Sequence, residues 1–242
     1  MIKVCVLQAD NRPSLDYLLK SQEVNKMFCN YLNYNYLFIE FNNSEYQNFH
    51  PAIKKIHIVN GFLQNNICDI LIFLDSDAWI QNGFWLNYLI NKINNNNSIH
   101  GCFSRDPYVL KNTFINSGSF IIKNNSFTKQ IYNNIINEVC NNSEYHNTWP
   151  YDQYYISKQI FENKDKFYIF APDILNTPYG KVLRHNWYKN IKMHNDLHNL
   201  TLLNKEHLIY DNYSFNIEEF YDNKCFPNIN IDGNEYTDEY TE

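Results

Sequence analysis

Short apolar runs alternate along the first half of the chain with segments in which apolar residues recur every three or four positions. The short runs predict β-strands, and the longer spacing predicts helices with one buried face. Strands are predicted at residues 2–7, 36–41 and 67–74, with helices at residues 14–32 and 51–63 between them. This alternation predicts an α/β fold with a mainly parallel central sheet flanked by helices.

The same patterns continue into the second half of the chain with shorter elements. They predict helices at residues 84–93, 127–140 and 151–161, and strands at residues 99–104, 119–123, 167–170 and 181–183. After residue 195 the periodicity weakens, and residues 232–242 are acidic and lack a repeat pattern. We therefore expect one folded domain over residues 1–195, followed by an extension over residues 196–242 that is a tail or a linker of a larger multidomain protein.

Two residues mark the starts of predicted helices. Ser14 precedes the first helical pattern, and a serine hydroxyl at that position accepts a hydrogen bond from a free backbone N–H group. Pro51 opens the second pattern, where its missing N–H group costs no hydrogen bond. We expect helices to begin at both places.

Charge and apolar content exclude several classes of protein. The chain carries 20 basic and 26 acidic residues, a net charge of −6, whereas a nucleic-acid-binding protein needs a basic surface. A transmembrane helix would need about 18 consecutive apolar residues, and the chain has no such run. The apolar run at residues 2–7 is predicted to be a first strand and not a signal peptide, because the mostly polar residues 8–12 end it too early. The six scattered cysteines favour free thiols. We expect a cytoplasmic protein, in the host cytoplasm if the source is a virus.

The sharpest chemical feature is the triplet Asp75-Ser76-Asp77, which directly follows the apolar strand at residues 67–74. Ligands of open α/β sheets bind beyond the carboxyl ends of the strands. Two carboxylates close together there repel each other, and a divalent cation removes that cost. Carboxylate oxygens suit Mg²⁺ or Mn²⁺, whose coordination shell is commonly completed by substrate phosphates and water. A turn or a helix cap built from Asp and Ser is the alternative interpretation.

The segment at residues 69–80 resembles the DXD strand of GT-A-fold glycosyltransferases, most of all the galactosyl/mannosyl/xylosyltransferase group. Further blocks resemble that group in the same order: residues 25–34, Lys55 with Leu63, residues 116–124, and Asp152-Gln153. The resemblance implies a single Rossmann-like GT-A domain. It also implies metal-dependent transfer of a hexosyl or pentosyl group from a nucleoside diphosphate sugar, most simply a UDP-sugar, to a hydroxyl of a glycan or glycoprotein acceptor.

The resemblance implies a metal site with Mn²⁺ or Mg²⁺ as the cofactor. Asp75 and Asp77 are its implied carboxylate ligands, and the metal ion stabilises the leaving nucleoside diphosphate. GT-A enzymes often complete such a site with a histidine near the end of the domain. His185 is the candidate for this third ligand, and His194 is the alternative.

The remaining implied roles concern the donor and the reaction. The residues that the resemblance implies at the donor are Gln8, Ala9, Asp10, Lys55, Asp75, Ser76, Asn116, Gly118 and Gln153. Asp152 is the implied catalytic residue. It is the base of an inverting reaction, or a group that orients the sugar and stabilises a cation-like transition state in a retaining one.

Other functions fit parts of the pattern. Haloacid-dehalogenase phosphatases also place DxD after a strand, but theirs lies near the N-terminus and is followed by Thr where this chain has Trp79. Sugar-1-phosphate nucleotidyltransferases need a Gly-rich basic loop after the first strand, and residues 8–13 contain no Gly. A non-catalytic module that binds a sugar nucleotide or a glycan stays open as the third alternative.

Overall fold

The computed structural model describes residues 2–41, 49–107, 114–203, 206 and 217. Most of the extension at residues 196–242, including its acidic end, lies outside the described residues. Within the described part, helices surround a six-stranded sheet and a two-stranded ribbon. The predicted α/β class is confirmed.

The elements follow the predicted alternation of strands and helices. In chain order they are β1 (Val4–Asp10), α1 (Asp16–Leu32), β2 (Asn35–Glu40), α2 (Pro51–Gln64), β3 (Ile70–Leu74), β4 (Ala78–Ile80), α3 (Gly83–Asn94), β5 (Gly101–Arg105), β6 (Ile115–Lys123), α4 (Ser126–Asn141), α5 (Asp152–Glu162), β7 (Tyr168–Phe170), α6 (Pro172–Leu175), β8 (Leu183–His185) and α7 (Ile191–Thr201). A 3₁₀ turn at Lys164–Lys166 precedes β7.

The strand order in the sheet is β2-β1-β3-β6-β5-β7, and β6 is antiparallel to both of its neighbours. The other pairings are parallel, so the predicted mainly parallel sheet is confirmed. Because β6 runs in the opposite direction, its first residues lie at the edge where β3 ends, with Ser119 opposite Leu74. This edge carries the candidate site.

A short ribbon of β4 and β8 extends that edge. The two strands are antiparallel, and Ala78 lies opposite His185. The predicted strand at residues 181–183 therefore lies two residues later than expected, because its position is set by pairing with β4 and not by its own apolar pattern. The ribbon brings a segment about 105 residues away in sequence next to the end of β3.

The core consists of two apolar layers, one on each face of the sheet. Alternate residues of β3 enter each layer: Ile70, Ile72 and Leu74 pack on the face covered by α1, α3 and α7. Leu71 and Phe73 pack on the face covered by α2, α4 and α5. All five residues of β3 are buried, as expected of a strand covered on both faces.

Two expectations about helices need correction. Helix α1 begins at Asp16, with Leu15 as the cap residue and no side-chain capping bond, so the prediction that Ser14 caps it was wrong. Helix α7 was missed, because only Met193, Leu197 and Leu200 of its eleven residues are buried. It crosses the predicted division at residues 195 and 196, and that division stays a prediction.

Two other expectations were that the cysteines are free thiols and that the chain has no transmembrane helix. Cys5, Cys29, Cys68 and Cys102 are free and buried, and Cys140 is free and exposed. Among the described residues, no helix combines the length and the apolar content that crossing a membrane requires.

Buried Asn25 on α1 fixes the position of β4. Its Oδ1 accepts a hydrogen bond from the N–H of Ile80 (2.9 Å), and its Nδ2 donates to Gln8 Oε1 (3.0 Å) and the carbonyl of Ala78 (3.2 Å). Its loss would leave buried polar groups without partners. We expect Asn25→Ala to lower the free energy of unfolding by about 3 kcal/mol in urea denaturation. Asn30→Ala, an exposed position of the same helix, is the control and should change it by less than about 0.5 kcal/mol.

Candidate active site

The Asp75-Ser76-Asp77 triplet forms the tight connection between β3 and β4. The N–H of Asp75 donates to the carbonyl of Gly118 (2.8 Å), and the N–H of Ala78 donates to the carbonyl of Asp75 (3.0 Å). Asp77 is buried, whereas the Asp75 side chain is 28% exposed. The turn therefore holds both carboxylates at the edge of the sheet, with Asp75 open to the solvent side.

His185 joins the two aspartates in a group of three side chains that could hold a metal ion. Its Nε2 lies 3.2 Å from Asp77 Oδ1 and 3.9 Å from Asp75 Oδ2, and one ligand atom from each of the three residues lies within 4.8 Å of the others. The alternative candidate, His194, lies on α7, with its Nδ1 3.4 Å from Asp16 Oδ2. Of the two histidines, the structure brings His185 to the aspartates.

A chain of hydrogen bonds orients the His185 ring. Asn116 Oδ1 lies 3.1 Å from His185 Nδ1 and accepts from the N–H of Gly118 (3.0 Å), while Asn116 Nδ2 donates to Asp106 Oδ2 (3.1 Å). A carboxylate oxygen accepts hydrogen bonds and cannot donate them, so the Asn116 nitrogen faces Asp106 and the Asn116 oxygen faces His185. When the His185 ring is neutral, which is the form that binds a metal, this contact keeps its proton on Nδ1 and leaves Nε2 free on the side of Asp77. This is the arrangement that metal-ligating histidines show.

Gly118 makes room for that ring. A Cβ atom at this position would lie 2.0 Å from His185 Nδ1 and 2.1 Å from Cε1, well inside contact distance. The resemblance implied that Gly118 lies beside the donor sugar. In this structure the His185 ring packs against it, so an absent side chain at residue 118 is a condition for the group of three ligands.

The three side chains fit a divalent metal ion. Carboxylate oxygens with one imidazole nitrogen suit Mn²⁺ or Mg²⁺. Burial raises the pKa of Asp77, but His185 and Lys189 outweigh that effect and lower the pKa to about 2. Burial lowers the pKa of His185, and Asp77 outweighs it and raises the pKa above its usual value. Asp77 is thus ionised over the whole physiological pH range, which is the form that binds a metal ion.

Lys55 bridges two carboxylates beneath the site. Its Nζ lies 2.9 Å from Asp75 Oδ1 and 2.9 Å from Asp152 Oδ2, and it donates to the carbonyl of Ser117 (3.3 Å). Burial lowers the pKa of this ammonium, but Asp152 and Asp75 outweigh burial and raise it. Lys55 therefore compensates the charge of Asp75 from inside the protein, opposite to the His185 side.

Asp152 and Gln153 begin α5 and pack behind the site. Asp152 is 3% exposed. Gln153 Oε1 accepts from the N–H of Ser117 (3.2 Å), and Gln153 Nε2 donates to Asp106 Oδ2 (3.3 Å). In this structure Gln153 and Asn116 therefore share Asp106 as an acceptor.

A cleft beside the aspartates encloses about 680 Å³, including the solvent at its open mouth. The predicted site residues that line it are Ala9, Asp10, Lys55, Asp75, Ser76, Asp77 and His185. The other predicted residues, Gln8, Asn116, Gly118, Asp152 and Gln153, pack behind these. Gln8, for example, donates from Nε2 to the carbonyl of Asp75 (3.0 Å). The residues that the sequence predicts for the site therefore form one cluster in two layers, one that lines the cleft and one that packs behind it.

Several residues of the site were missed at the level of the sequence. Arg12 pairs with both oxygens of Asp10, at 3.0 and 3.1 Å, and lines the cleft. Lys189 lies 3.3 Å from Asp77 Oδ2. Asp106 directly follows β5, so the rule that ligands meet the ends of strands would have found it. No sequence signal marks Lys189, which follows His185 by four residues on an irregular turn.

No protein-family model and no curated protein matches this chain. Solved structures do match. A glycosyltransferase involved in the glycosylation of the major capsid of PBCV-1 has a TM-score of 0.61 and 15% identity, over 83% of this chain and 100% of that chain. The apo form of the glycosyltransferase GlyE of Streptococcus pneumoniae TIGR4 has a TM-score of 0.52 and 12% identity, over 86% of this chain and 62% of that chain.

The galactosyltransferase LgtC, in complex with donor and acceptor sugar analogs, gives a TM-score of 0.50 and 14% identity, over 84% of this chain and 98% of that chain. At such low identities the similarity establishes the fold. The chain has the GT-A fold of glycosyltransferases, as the resemblance of residues 69–80 implied. The site's chemistry has to be argued from its own residues.

Gly118→Ala tests the geometry of the three ligands. The new methyl group would displace the His185 ring, so we expect Mn²⁺ affinity to fall about tenfold or more in calorimetric titration. Gly61→Ala is the matched control, because no heavy atom lies within 4 Å of its Cβ position, and its Mn²⁺ affinity should equal that of the wild type. Equal affinity in the Gly118→Ala protein would exclude His185 as a ligand.

Proposed function

We propose that this protein is a metal-dependent glycosyltransferase that moves a hexosyl or pentosyl group from a UDP-sugar to a hydroxyl of a glycan or glycoprotein acceptor. The observation that carries the proposal is the group of Asp75, Asp77 and His185 on the wall of the cleft, at the edge of a GT-A-type sheet. The GT-A fold by itself does not assign the activity, because one fold supports many functions.

In the proposed enzyme Asp75, Asp77 and His185 hold Mn²⁺ or Mg²⁺. The bound cation stabilises the negative charge of the leaving nucleoside diphosphate. Lys55 keeps Asp75 in place through its 2.9 Å ion pair, and Asn116 keeps the His185 ring in place. These residues support the proposal because they hold the ligand atoms together before any substrate binds.

The nucleoside part of the donor is proposed to bind at the end of β1. Ala9, Asp10 and Ser76 line this side of the cleft, together with Arg12 and Phe41. Because both Asp10 oxygens already accept from Arg12, we propose that Asp10 acts by holding that guanidinium at the cleft. Gln8, Gly118 and Gln153 are proposed to support the donor site from the layer behind.

Asp152 is proposed as the catalytic carboxylate. A base must accept a proton from the acceptor hydroxyl, and a protonated Asp152 would leave the buried Lys55 ammonium with one compensating charge fewer. The ion pair therefore favours the role in which Asp152 stays ionised, orients the donor sugar and stabilises a cation-like transition state. This is the retaining alternative.

The proposed setting of the reaction is a reducing cytoplasm. Its support is the state of the cysteines in the described part of the chain: four of them, Cys5, Cys29, Cys68 and Cys102, are free and buried, and Cys140 is free and exposed. Fractionation of cells that express the protein tests this part of the proposal. Recovery with the secretory membranes would contradict it.

The first experiment measures donor binding by calorimetry. UDP, GDP, UDP-glucose and UDP-galactose are titrated with Mn²⁺ and again with EDTA. We expect UDP to bind with Mn²⁺, EDTA to abolish binding, and Asp77→Asn to weaken it at least tenfold, because a neutral amide is a poorer ligand than a carboxylate. Asp69→Asn, at the opposite end of β3 where Asp69 accepts from the N–H of Lys3, is the control and should bind as the wild type does.

The outcomes of this titration separate the candidate functions. Tighter binding of GDP than UDP would change the donor class and leave glycosyl transfer in place. A folded protein that binds none of the four nucleotides would contradict the proposal and favour a phosphatase or a non-catalytic module that does not bind sugar nucleotides.

Asp152→Asn separates catalysis from binding. The change keeps the size of the side chain and removes its charge. We expect slow hydrolysis of the UDP-sugar, measured as released UDP without acceptor, to fall at least 100-fold, while the Kd for UDP with Mn²⁺ changes less than about threefold. Asp165→Asn, on the exposed 3₁₀ turn, should retain full turnover. Wild-type turnover in Asp152→Asn would remove Asp152 from the reaction.

A further inference from the structure

The carboxylates of the cleft are already paired with cations of the chain itself. Asp10 pairs with Arg12, and Asp75 pairs with Lys55. Asp77 has two partners, one on each oxygen: His185 Nε2 lies 3.2 Å from Oδ1, and Lys189 Nζ lies 3.3 Å from Oδ2. A divalent cation that binds Asp77 therefore has to compete with the Lys189 ammonium, which already compensates the charge of this carboxylate.

Lys189 differs from Lys55 in how firmly it is held. Lys55 is buried and contacts two carboxylates and the Ser117 carbonyl, so it has no room to leave. The Lys189 side chain is 40% exposed, reaches Asp77 from the turn between β8 and α7, and has the Tyr17 ring 5.3 Å from its Nζ. It also lines the cleft. Rotation of its flexible side chain is enough to move its charge.

The backbone around Lys189 is fixed on both sides. The N–H of Asn186 donates to the carbonyl of Asp77 (3.0 Å), and the N–H of Lys189 donates to the carbonyl of Asn186 (3.3 Å). Asn190 then caps α7 by accepting from the N–H of Met193. The turn therefore holds Lys189 beside the site while its ammonium can change partners.

We propose that Lys189 is an exchangeable counter-cation of the metal site, which pairs with Asp77 in the metal-free protein and with the diphosphate of the donor in the loaded one. This inference rests on the proposed function. While Lys189 is paired with Asp77, its positive charge lies beside the metal site and repels an incoming cation, so it lowers the affinity for the metal. A bound diphosphate gives the ammonium another anion, so Lys189 leaves Asp77 at lower cost. Metal and donor then bind cooperatively, and the coupling acts equally in both directions.

If Lys189 exchanges partners in this way, removal of its charge should strengthen the binding of Mn²⁺ and weaken the binding of UDP. Lys189→Met keeps the aliphatic stem and removes the ammonium. We expect its Kd for Mn²⁺ alone to fall about threefold to tenfold, and its Kd for UDP at saturating Mn²⁺ to rise by about the same factor. Lys189→Arg, which keeps the charge, should stay within about twofold of the wild type in both titrations.

Lys192→Met is the matched control. Lys192 is exposed on α7, with its Nζ 4.7 Å from the centre of the Tyr179 ring, and both affinities of this variant should equal those of the wild type. A weakened site would lose affinity for Mn²⁺ and UDP together, so a gain in Mn²⁺ affinity distinguishes charge competition from structural damage. Thermal denaturation of all variants checks that they are folded.

Three other results would contradict the exchange of Lys189, its contact with the diphosphate, or the proposed function. Unchanged or weaker Mn²⁺ binding by Lys189→Met, with a wild-type protein that binds Mn²⁺ and UDP, overturns the exchange and leaves the proposed function standing. Tighter Mn²⁺ binding with unchanged UDP affinity overturns the pairing of Lys189 with the diphosphate. A wild-type protein that binds neither Mn²⁺ nor UDP overturns the proposed function, and the exchange of Lys189 between Asp77 and the diphosphate with it.

Discussion

Repulsion among carboxylates at the end of β3 is the constraint on which the site depends. Asp75, Asp77 and Asp152 meet in this part of the site, with Asp77 and Asp152 buried and Asp75 partly exposed, and like charges in such a place are stable only when cations compensate them. Lys55 lies between Asp75 and Asp152, and His185 lies against Asp77. The burial of a lysine on the inner face of α2 follows from this need for compensating charge.

The architecture supplies the compensating groups from distant parts of the chain. The antiparallel direction of β6 places Asn116 and Gly118 beside the end of β3, where they orient His185 and make room for it. The pairing of β4 with β8 brings His185 to Asp77. A sheet with only parallel strands would have placed the start of β6 at the opposite edge, so the reversed direction of β6 in the described sheet is a requirement of the site.

Asparagine and glutamine side chains form a polar layer behind the ligands. Gln8 and Asn25 bond to each other and to the backbone of β4, and Asn116 and Gln153 share Asp106. Such a layer is stable because nearly all of its donors and acceptors find partners, and it keeps the carboxylates rigid. The abundance of asparagine in this sequence therefore has a structural use at this place as well as on the surface.

The sequence by itself determined the parts of this protein that depend on neighbours along the chain. Apolar periodicity predicted the succession of strands and helices along the chain up to α5, except for the short strand β4. The strand-end rule identified Asp75 and Asp77, because strand burial and turn position are local properties. The sequence did not determine the cap of α1, the helix α7 or the place of Lys189 beside Asp77. Their positions depend on packing and pairing with residues far away in sequence. The sequence named His185 with His194 as the alternative, and the tertiary structure brings the His185 imidazole to Asp77 through the β4–β8 pairing. It also joins Lys55 to Asp152 across 97 residues, because both contacts link segments that are far apart in the chain.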